Sequence, residues 1–289
     1  MWEDLHRLTQ DEDKSVRWRA TDTLGVAFAS VPDKGKAWED LHRLTQDEDE
    51  DVRRSATDAL GLAFASVPDK GKAWGDLHRL TQDKKESVRL KAAYSLGVAF
   101  ASVPDKGKAW EDLHRLTQDK DKSVRLRAAY ALRWAFVYMP DKGNAWEDLH
   151  RLTQDEDEDV RRSATDALGL AFADVPDKGK AWEDLHRLTQ DEDKSVRWRA
   201  TDALGLAFAS VPDKGKAWED LHRLTQDKDE DVRWGAADAL GRAFASVPDK
   251  GKAWEDLHRL TQDKDEDVRR SATDALGLAF AYMPEKYNT

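Results

Sequence analysis

The 289-residue sequence contains no cysteine. Disulfide frameworks and thiol catalysis are thereby excluded, and a reducing compartment is allowed without being required. No apolar run approaches the ~20 residues needed to cross a bilayer, and Met1-Trp2-Glu3-Asp4 lacks the basic-then-apolar order of a secretory signal. A soluble cytoplasmic protein with no membrane partner is therefore expected. There is also no surplus of positive charge, since 47 Lys and Arg face 58 Asp and Glu for a net charge of -11. Nucleic acids and anionic membranes are bound through surplus cations, so both are disfavoured as partners.

Prolines number only eight, and they are evenly spaced: Pro32, Pro68 and so on to Pro284 recur every 36 residues, as do the eight histidines from His6 to His258. The segment Ala-Trp-Glu-Asp-Leu-His-Arg-Leu-Thr-Gln-Asp that opens at Ala37 returns at Ala73, Ala109, Ala145, Ala181, Ala217 and Ala253, with Gly75 as its one change. Such a fixed period marks a solenoid, in which each unit buries its apolar face only against its neighbours. The whole chain, 1–289, is expected to form a single array. Its units lie near 1–36, 37–72, 73–108, 109–144, 145–180, 181–216, 217–252 and 253–289. A hydrophobic share of 39% beside 36% charged residues suits two thin layers better than a thick globular core.

Within one repeat, Asp33 is placed to cap a first helix, helix A, predicted over about 34–46, with Trp38, Leu41, Leu44 and Thr45 on one side. The acidic stretch 47–51 puts negative side chains at the start of helix B, predicted over about 50–66. There Val52, Ala56, Leu60, Ala63, Phe64 and Val67 form an apolar stripe at helical spacing. Pro68 ends it, because the residue before proline is driven out of the α region. Short connections make A and B antiparallel neighbours.

The helix B run, carried here by Asp47, Asp49, Val52-Arg53, Ala56 and Ala59-Leu60-Gly61, resembles the HEAT-like repeats, especially the type first noted in phycobilisome lyases. The resemblance covers the whole chain. It implies an all-α, right-handed α-solenoid of eight 36-residue helix-turn-helix units, with helix A on the convex and helix B on the concave side. Eight stacked pairs would span an arc of ~70 to 80 Å. The resemblance also implies that the arginine after each helix B valine bonds loop aspartates of its own or a neighbouring repeat.

Several motifs have a functional and a plainer reading. The histidines recur one helix layer apart, ~8 to 10 Å, too far for one zinc ion with ~2 Å bonds to join; they flank the seam between repeats. The helix A tryptophans are core spacers. Asp47-x-Asp49-x-Asp51, repeated at Asp155, Asp227 and Asp263, opens like a calcium loop but lacks its glycine and bidentate glutamate, which leaves helix capping. Lys34-Gly35-Lys36 has no phosphate-loop frame and reads as a turn. No nucleophile and base arrangement occurs once, as a catalytic site does. Neither enzyme activity, cofactor nor metal is expected.

The repeats differ where the core stripe does not run. The register position of Trp18 holds Arg54, Leu90, Leu126, Arg162, Trp198, Trp234 and Arg270 in turn. Asp22 becomes Tyr94 and Tyr130, Gly25 becomes Arg133, Val26 becomes Trp134 and Arg242, and Ala29 becomes Val137. On the helix wheel the positions of Trp18, Asp22, Gly25 and Ala29 lie about 120 to 180° from the core direction, so they are expected to line the concave groove. Large side chains there suit a protein or peptide partner. Leu90, Tyr94, Leu126, Tyr130, Arg133 and Trp134 form the candidate centre, with Trp18, Trp198 and Trp234 as further anchors. The alternative is a structural array, natural or assembled by copying, that associates end to end through uncapped terminal repeats. The identity of Val52 to Ala65 with Val160 to Ala173 fits copying, and Tyr282 to Tyr287 reads as a true terminus. A nucleic-acid binder using a basic and tryptophan stripe is the third reading.

Overall fold

The computed structural model describes residues 2–139 and 141–282. Met1, Pro140 and the terminus beyond Tyr282, including Pro284, lie outside the described residues. Among the described residues sixteen α-helices follow one another: α1 (Trp2–Leu8), α2 (Lys14–Ala27), α3 (Lys34–Leu44), α4 (Glu50–Ala63), α5 (Lys70–Leu80), α6 (Glu86–Ala99), α7 (Lys106–Leu116) and α8 (Lys122–Ala135). They continue with α9 (Lys142–Leu152), α10 (Glu158–Ala171), α11 (Lys178–Leu188), α12 (Lys194–Ala207), α13 (Lys214–Leu224), α14 (Glu230–Ala243), α15 (Lys250–Leu260) and α16 (Glu266–Phe280). Odd numbers are helix A and even numbers helix B. The chain is an all-α solenoid of tandem repeats, and it divides into two compact units, Met1–Asp148 and Leu149–Thr289.

The helices start where their caps dictate. Asp33 accepts a hydrogen bond from the backbone N–H of Lys36, and Asp49 accepts from those of Asp51 and Val52. Lys34-Gly35-Lys36 is thus the first turn of α3 and not a free turn, because the Asp33 cap satisfies its exposed N–H groups. Both helices end earlier than their apolar stripes. Helix B stops at Ala63 in α4, and in α2 it passes into a 3-10 turn over Phe28–Ser30 before Val31 turns extended at ψ 140°. Proline at the next position excludes Val31 from the α region, so the chain leaves the helix while Phe28 and Val31 still reach the core.

In the first unit α2 packs on α4, α4 on α6 and α6 on α8; in the second α10 packs on α12, α12 on α14 and α14 on α16. Glycine permits this close approach. A Cβ on Gly61 would lie 2.7 Å from the Ser95 Cβ, and one on Gly205 would lie 2.8 Å from that of Ala239. Val52, Ala56, Leu60, Ala63, Phe64 and Val67 are all buried, as their spacing predicts, together with Trp38, Leu41, Leu44 and Thr45. Successive helix A segments are joined through polar side chains, described next.

Candidate protein-binding face

Within each unit the described seams between helix A segments carry the same polar chain. His42 Nδ1 lies 2.5 Å from Asp76 Oδ2 one repeat on, and Arg79 Nη2 donates to the other oxygen of Asp76 at 2.8 Å and to Thr45 Oγ1 at 2.9 Å. Asp76 is buried, so two donors meet a charge that water cannot. In the second unit His186 and Asp220 repeat the arrangement at 2.6 Å. The histidines therefore do flank the repeat seam. Most helix A tryptophans are core, and Trp38 and Trp182 also lie with their rings 5.8 Å from those of His42 and His186.

A second ladder runs between helix B starts. Arg53 grips Asp83 of the next repeat through Nε at 2.8 Å and Nη2 at 3.2 Å, while its Nη1 donates to the carbonyls of Asp47 and Glu48. Arg197 holds Asp227 likewise. Burial pushes the Asp83 carboxyl up, but the Arg53 hydrogen bonds and the Lys85 backbone N–H outweigh it and leave it below its ordinary value. The Asp83 carboxylate in turn raises the Arg53 guanidinium. The Asp-x-Asp motifs are capping and ladder groups, as Asp47 shows by accepting from both Arg17 and the Asp49 backbone N–H. Among the described residues no group of three or more His, Cys, Asp or Glu is arranged to hold a metal ion.

The outward half of helix B carries the variable residues. In the first unit Tyr94 and Tyr130 stack with centroids 6.5 Å apart, and Tyr130 meets Trp134 edge-on at 6.4 Å. The Arg127 guanidinium sits 5.5 Å from the Tyr94 centroid and 5.7 Å from that of Tyr130, while Arg133 lies 5.1 Å above Trp134. The structure thus brings Tyr94, Tyr130, Arg133 and Trp134 together as one aromatic and cationic ladder. Leu90 is seated deeper, against Ala93, Leu116, Val124 and Ala128, and Leu126 is half-buried. Only Trp134 of this set is exposed, at 49%. Trp18, half-buried, lies alone of its kind in the first unit under Arg19, 4.2 Å from its ring centroid.

The Gly25 position does not line an open groove, contrary to the wheel. Gly25, Gly61, Gly97, Gly169, Gly205 and Gly241 are pressed against the next helix B, because the wheel locates a side chain relative to its own core and says nothing about what a neighbour covers. The Val26 position, one residue on, is the open one. Val26, Leu62 and Val98 are exposed in line with Trp134 in the first unit, and Leu170, Leu206 and Leu278 in the second. This run of exposed apolar groups, present within each unit, was missed. Its sequence signal is a large apolar side chain kept in seven of eight repeats on the face away from the core.

In the second unit Trp198 and Trp234 stack at 6.3 Å, and Arg199 lies 4.4 Å from the Trp198 centroid. They floor a groove of about 780 Å³ whose rim includes Lys194, Glu230, Asp231, Asp265, Asp267 and Arg270. The second arginines of helix B are largely tied down. Arg54 pairs with Asp51, Arg162 with Asp159, Arg270 with Asp267, and Arg199 with Asp166 and Asp202. These carboxylates neutralise the stripe that a nucleic-acid backbone would need. No described helix is long and apolar enough to cross a membrane.

The family model described as HEAT repeats matches residues 3–73, 77–168, 147–212 and 221–286. No curated protein matches the chain. Among solved structures, an engineered protein is similar at 27% identity and a TM-score of 0.59, over 96% of this chain and 78% of that one. The Escherichia coli protein YibA is similar in fold at 19% identity and a TM-score of 0.66, over 96% and 92%. Importin beta is 16% identical with a TM-score of 0.69, over 95% of this chain and 40% of its own. A chain from the structure of Kap95p binding to RanGDP is 14% identical with a TM-score of 0.68, over 97% and 40%.

Proposed function

We propose, from the premise that this chain belongs to the HEAT-repeat family, that it is a non-enzymatic cytoplasmic scaffold binding a protein or peptide along the helix B face. The observation that carries this reading is the in-register apolar ridge of Val26, Leu62, Val98 and Trp134, continued in kind by Leu170, Leu206 and Leu278. Soluble proteins seldom leave several such groups in a row uncovered unless a partner covers them. The ladder of Leu90, Tyr94, Leu126, Tyr130, Arg133 and Trp134 is its centre, since aromatic and arginine side chains anchor protein interfaces. Trp18, Trp198 and Trp234 are secondary anchors. The fold neighbour Kap95p, which binds RanGDP, sets a precedent for such use. That residues 1–289 act as one uninterrupted array belongs to the same proposal.

The test is affinity capture with the purified chain beside a Tyr94→Ala, Tyr130→Ala, Trp134→Ala variant of equal helicity by circular dichroism. A protein recovered by the parent and lost by the variant supports the scaffold reading. If both recover nothing or the same proteins, the ladder of Tyr94, Tyr130 and Trp134 is not a partner surface.

A second reading is favoured by one observation. Leu41, Leu44 and Val52 of repeat 2 are fully buried, whereas Leu5, Leu8 and Val16 of repeat 1 are half-buried and line an apolar hollow of about 560 Å³. On this reading the hollow takes the end of another copy, in a head-to-tail association. Light scattering across a dilution series tests it: a mass independent of concentration removes it.

A further inference from the structure

We infer that the groove floored by Trp198 and Trp234 is a docking site for an extended, arginine-rich protein segment. The inference rests on the scaffold reading in that it assigns a partner chemistry to one part of the helix B face. The groove is built rather than left over. Trp198 packs against Leu224, Val232 and Ala236, and its ring edge borders Gly235. A Cβ on Gly235 would stand 3.0 Å from the Trp198 Cδ1, and no other repeat has glycine in that register. Trp234 stacks on the ring so positioned and remains 39% exposed. A partly exposed indole can take a cation, and Arg199 on Trp198 demonstrates the contact within the chain.

The rim has more negative than positive charge, and its cations are already engaged. Lys194 Nζ is 3.1 Å from Asp229 and 3.6 Å from Asp231, and Arg270 is 2.5 Å from Asp267. Glu230 and Asp265 carry no such cation among the ion pairs described. Their register equivalents explain what is missing. In repeats 2 and 3 the same two positions are Glu50 and Lys85, joined at 2.5 Å, and in repeats 1 and 2 they are Lys14 and Asp49, joined at 2.9 Å. At the groove both positions are carboxylates, so no cation of the chain bridges them and a cation of the ligand can. Carboxylate pairs in this register recur at Glu86 with Asp121 and at Glu158 with Asp193, but neither is floored by paired tryptophans. A guanidinium suits both surfaces, stacking on indole while its edge donates to carboxylate. A volume of about 780 Å³ accommodates one or two such side chains with their backbone.

The experiment titrates the full chain into a fluorescein-labelled peptide made of three Gly-Arg-Ser triplets, read by anisotropy, beside the Gly-Glu-Ser peptide. The inference expects the arginine peptide to bind and the glutamate peptide not to. Trp234→Ala and Asp265→Lys should each weaken binding by about tenfold or more, the latter by restoring the internal pair. Helix α6 forms with Lys85 at the corresponding position, so Asp265→Lys is compatible with folding. Asp121→Lys, with the same change of net charge and no tryptophan floor, should leave binding in place. Equal loss in Asp121→Lys and Asp265→Lys would assign binding to general acidity and overturn the site. So would an unaffected Trp234→Ala, or no binding of the arginine peptide up to about 1 mM. If that happens while the Trp134 variant still loses its captured protein, this inference falls and the scaffold reading stands.

Discussion

His42 and Asp76 stand one repeat apart and meet at 2.5 Å, with the carboxylate buried and the imidazole half open to solvent. Repeated at His6, His78, His114, His150, His186 and His222, this contact ties helix A to helix A. Removing the acceptor strands His42 and the Arg79 contact together. Asp76→Ala should therefore cost about 1 to 3 kcal/mol, read as a lowered urea midpoint, and Asp76→Asn, which keeps an acceptor, should cost less. Equal midpoints for parent and Asp76→Ala would show that the seam carries no stability.

Acid should loosen the helix B ladder. Asp83, Asp119 and Asp227 titrate below their ordinary value of 3.8, because their arginine partners overcome the opposing effect of burial. A depressed folded value means that the stabilisation is fully present above the unfolded value, about 4, and is lost as pH falls through the folded one. The thermal midpoint should drop steeply below about pH 4. The triple variant Asp83→Asn, Asp119→Asn, Asp227→Asn should melt lower at neutral pH and show a shallower acid drop. Parallel curves for the two proteins would contradict this.

Two glycines predict opposite signs. Gly61→Ala drives a methyl to 2.7 Å from the Ser95 Cβ and 2.9 Å from its Cα, so α4 and α6 must separate, at a cost of about 1 to 3 kcal/mol. Gly75, inside α5, has nothing within 4 Å of an added Cβ. Gly75→Ala should stabilise by about 0.5 to 1 kcal/mol. Paired denaturation curves decide both, and a destabilised Gly75→Ala would refute the open-space argument.

The ridge should matter for binding and not for folding. Leu62→Ser and Leu206→Ser should change stability by no more than about 0.5 kcal/mol, as for exposed positions generally. Trp134→Ala should weaken a captured partner by about 2 kcal/mol or more. Calorimetric titration with that partner is the measure, and unchanged affinity would remove Trp134 from the interface.

Much of this molecule is legible one repeat at a time. The 36-residue period, the Asp33 and Asp49 caps, the stripe from Val52 to Val67 and the proline stop are all local or periodic, so the helix pairs and their core faces can be read directly. The helix ends were overestimated because an apolar stripe continues through a 3-10 turn as readily as through an α-helix. The candidate ladder of Tyr94, Tyr130 and Trp134 was legible as variation on an outward face, but its burial was not. Leu90 sits lower than Trp134 because Ala93 and Val124 of different repeats close around it.

The sequence by itself determined that this chain is a tandem helical array with an apolar seam, and which side chains vary away from that seam. Hydrophobic periodicity and capping act within a few residues of each other, so a single strand of text contains them. Only the tertiary structure decided which outward positions are open. Gly25 faces Ala59 while Val26 faces solvent. The Trp198 ring edge borders Gly235, and Glu50 pairs with Lys85 where Glu230 and Asp265 are both carboxylates. Those outcomes depend on groups roughly one repeat apart, and distance between them is set by how closely neighbouring helices pack, a quantity no helix wheel contains.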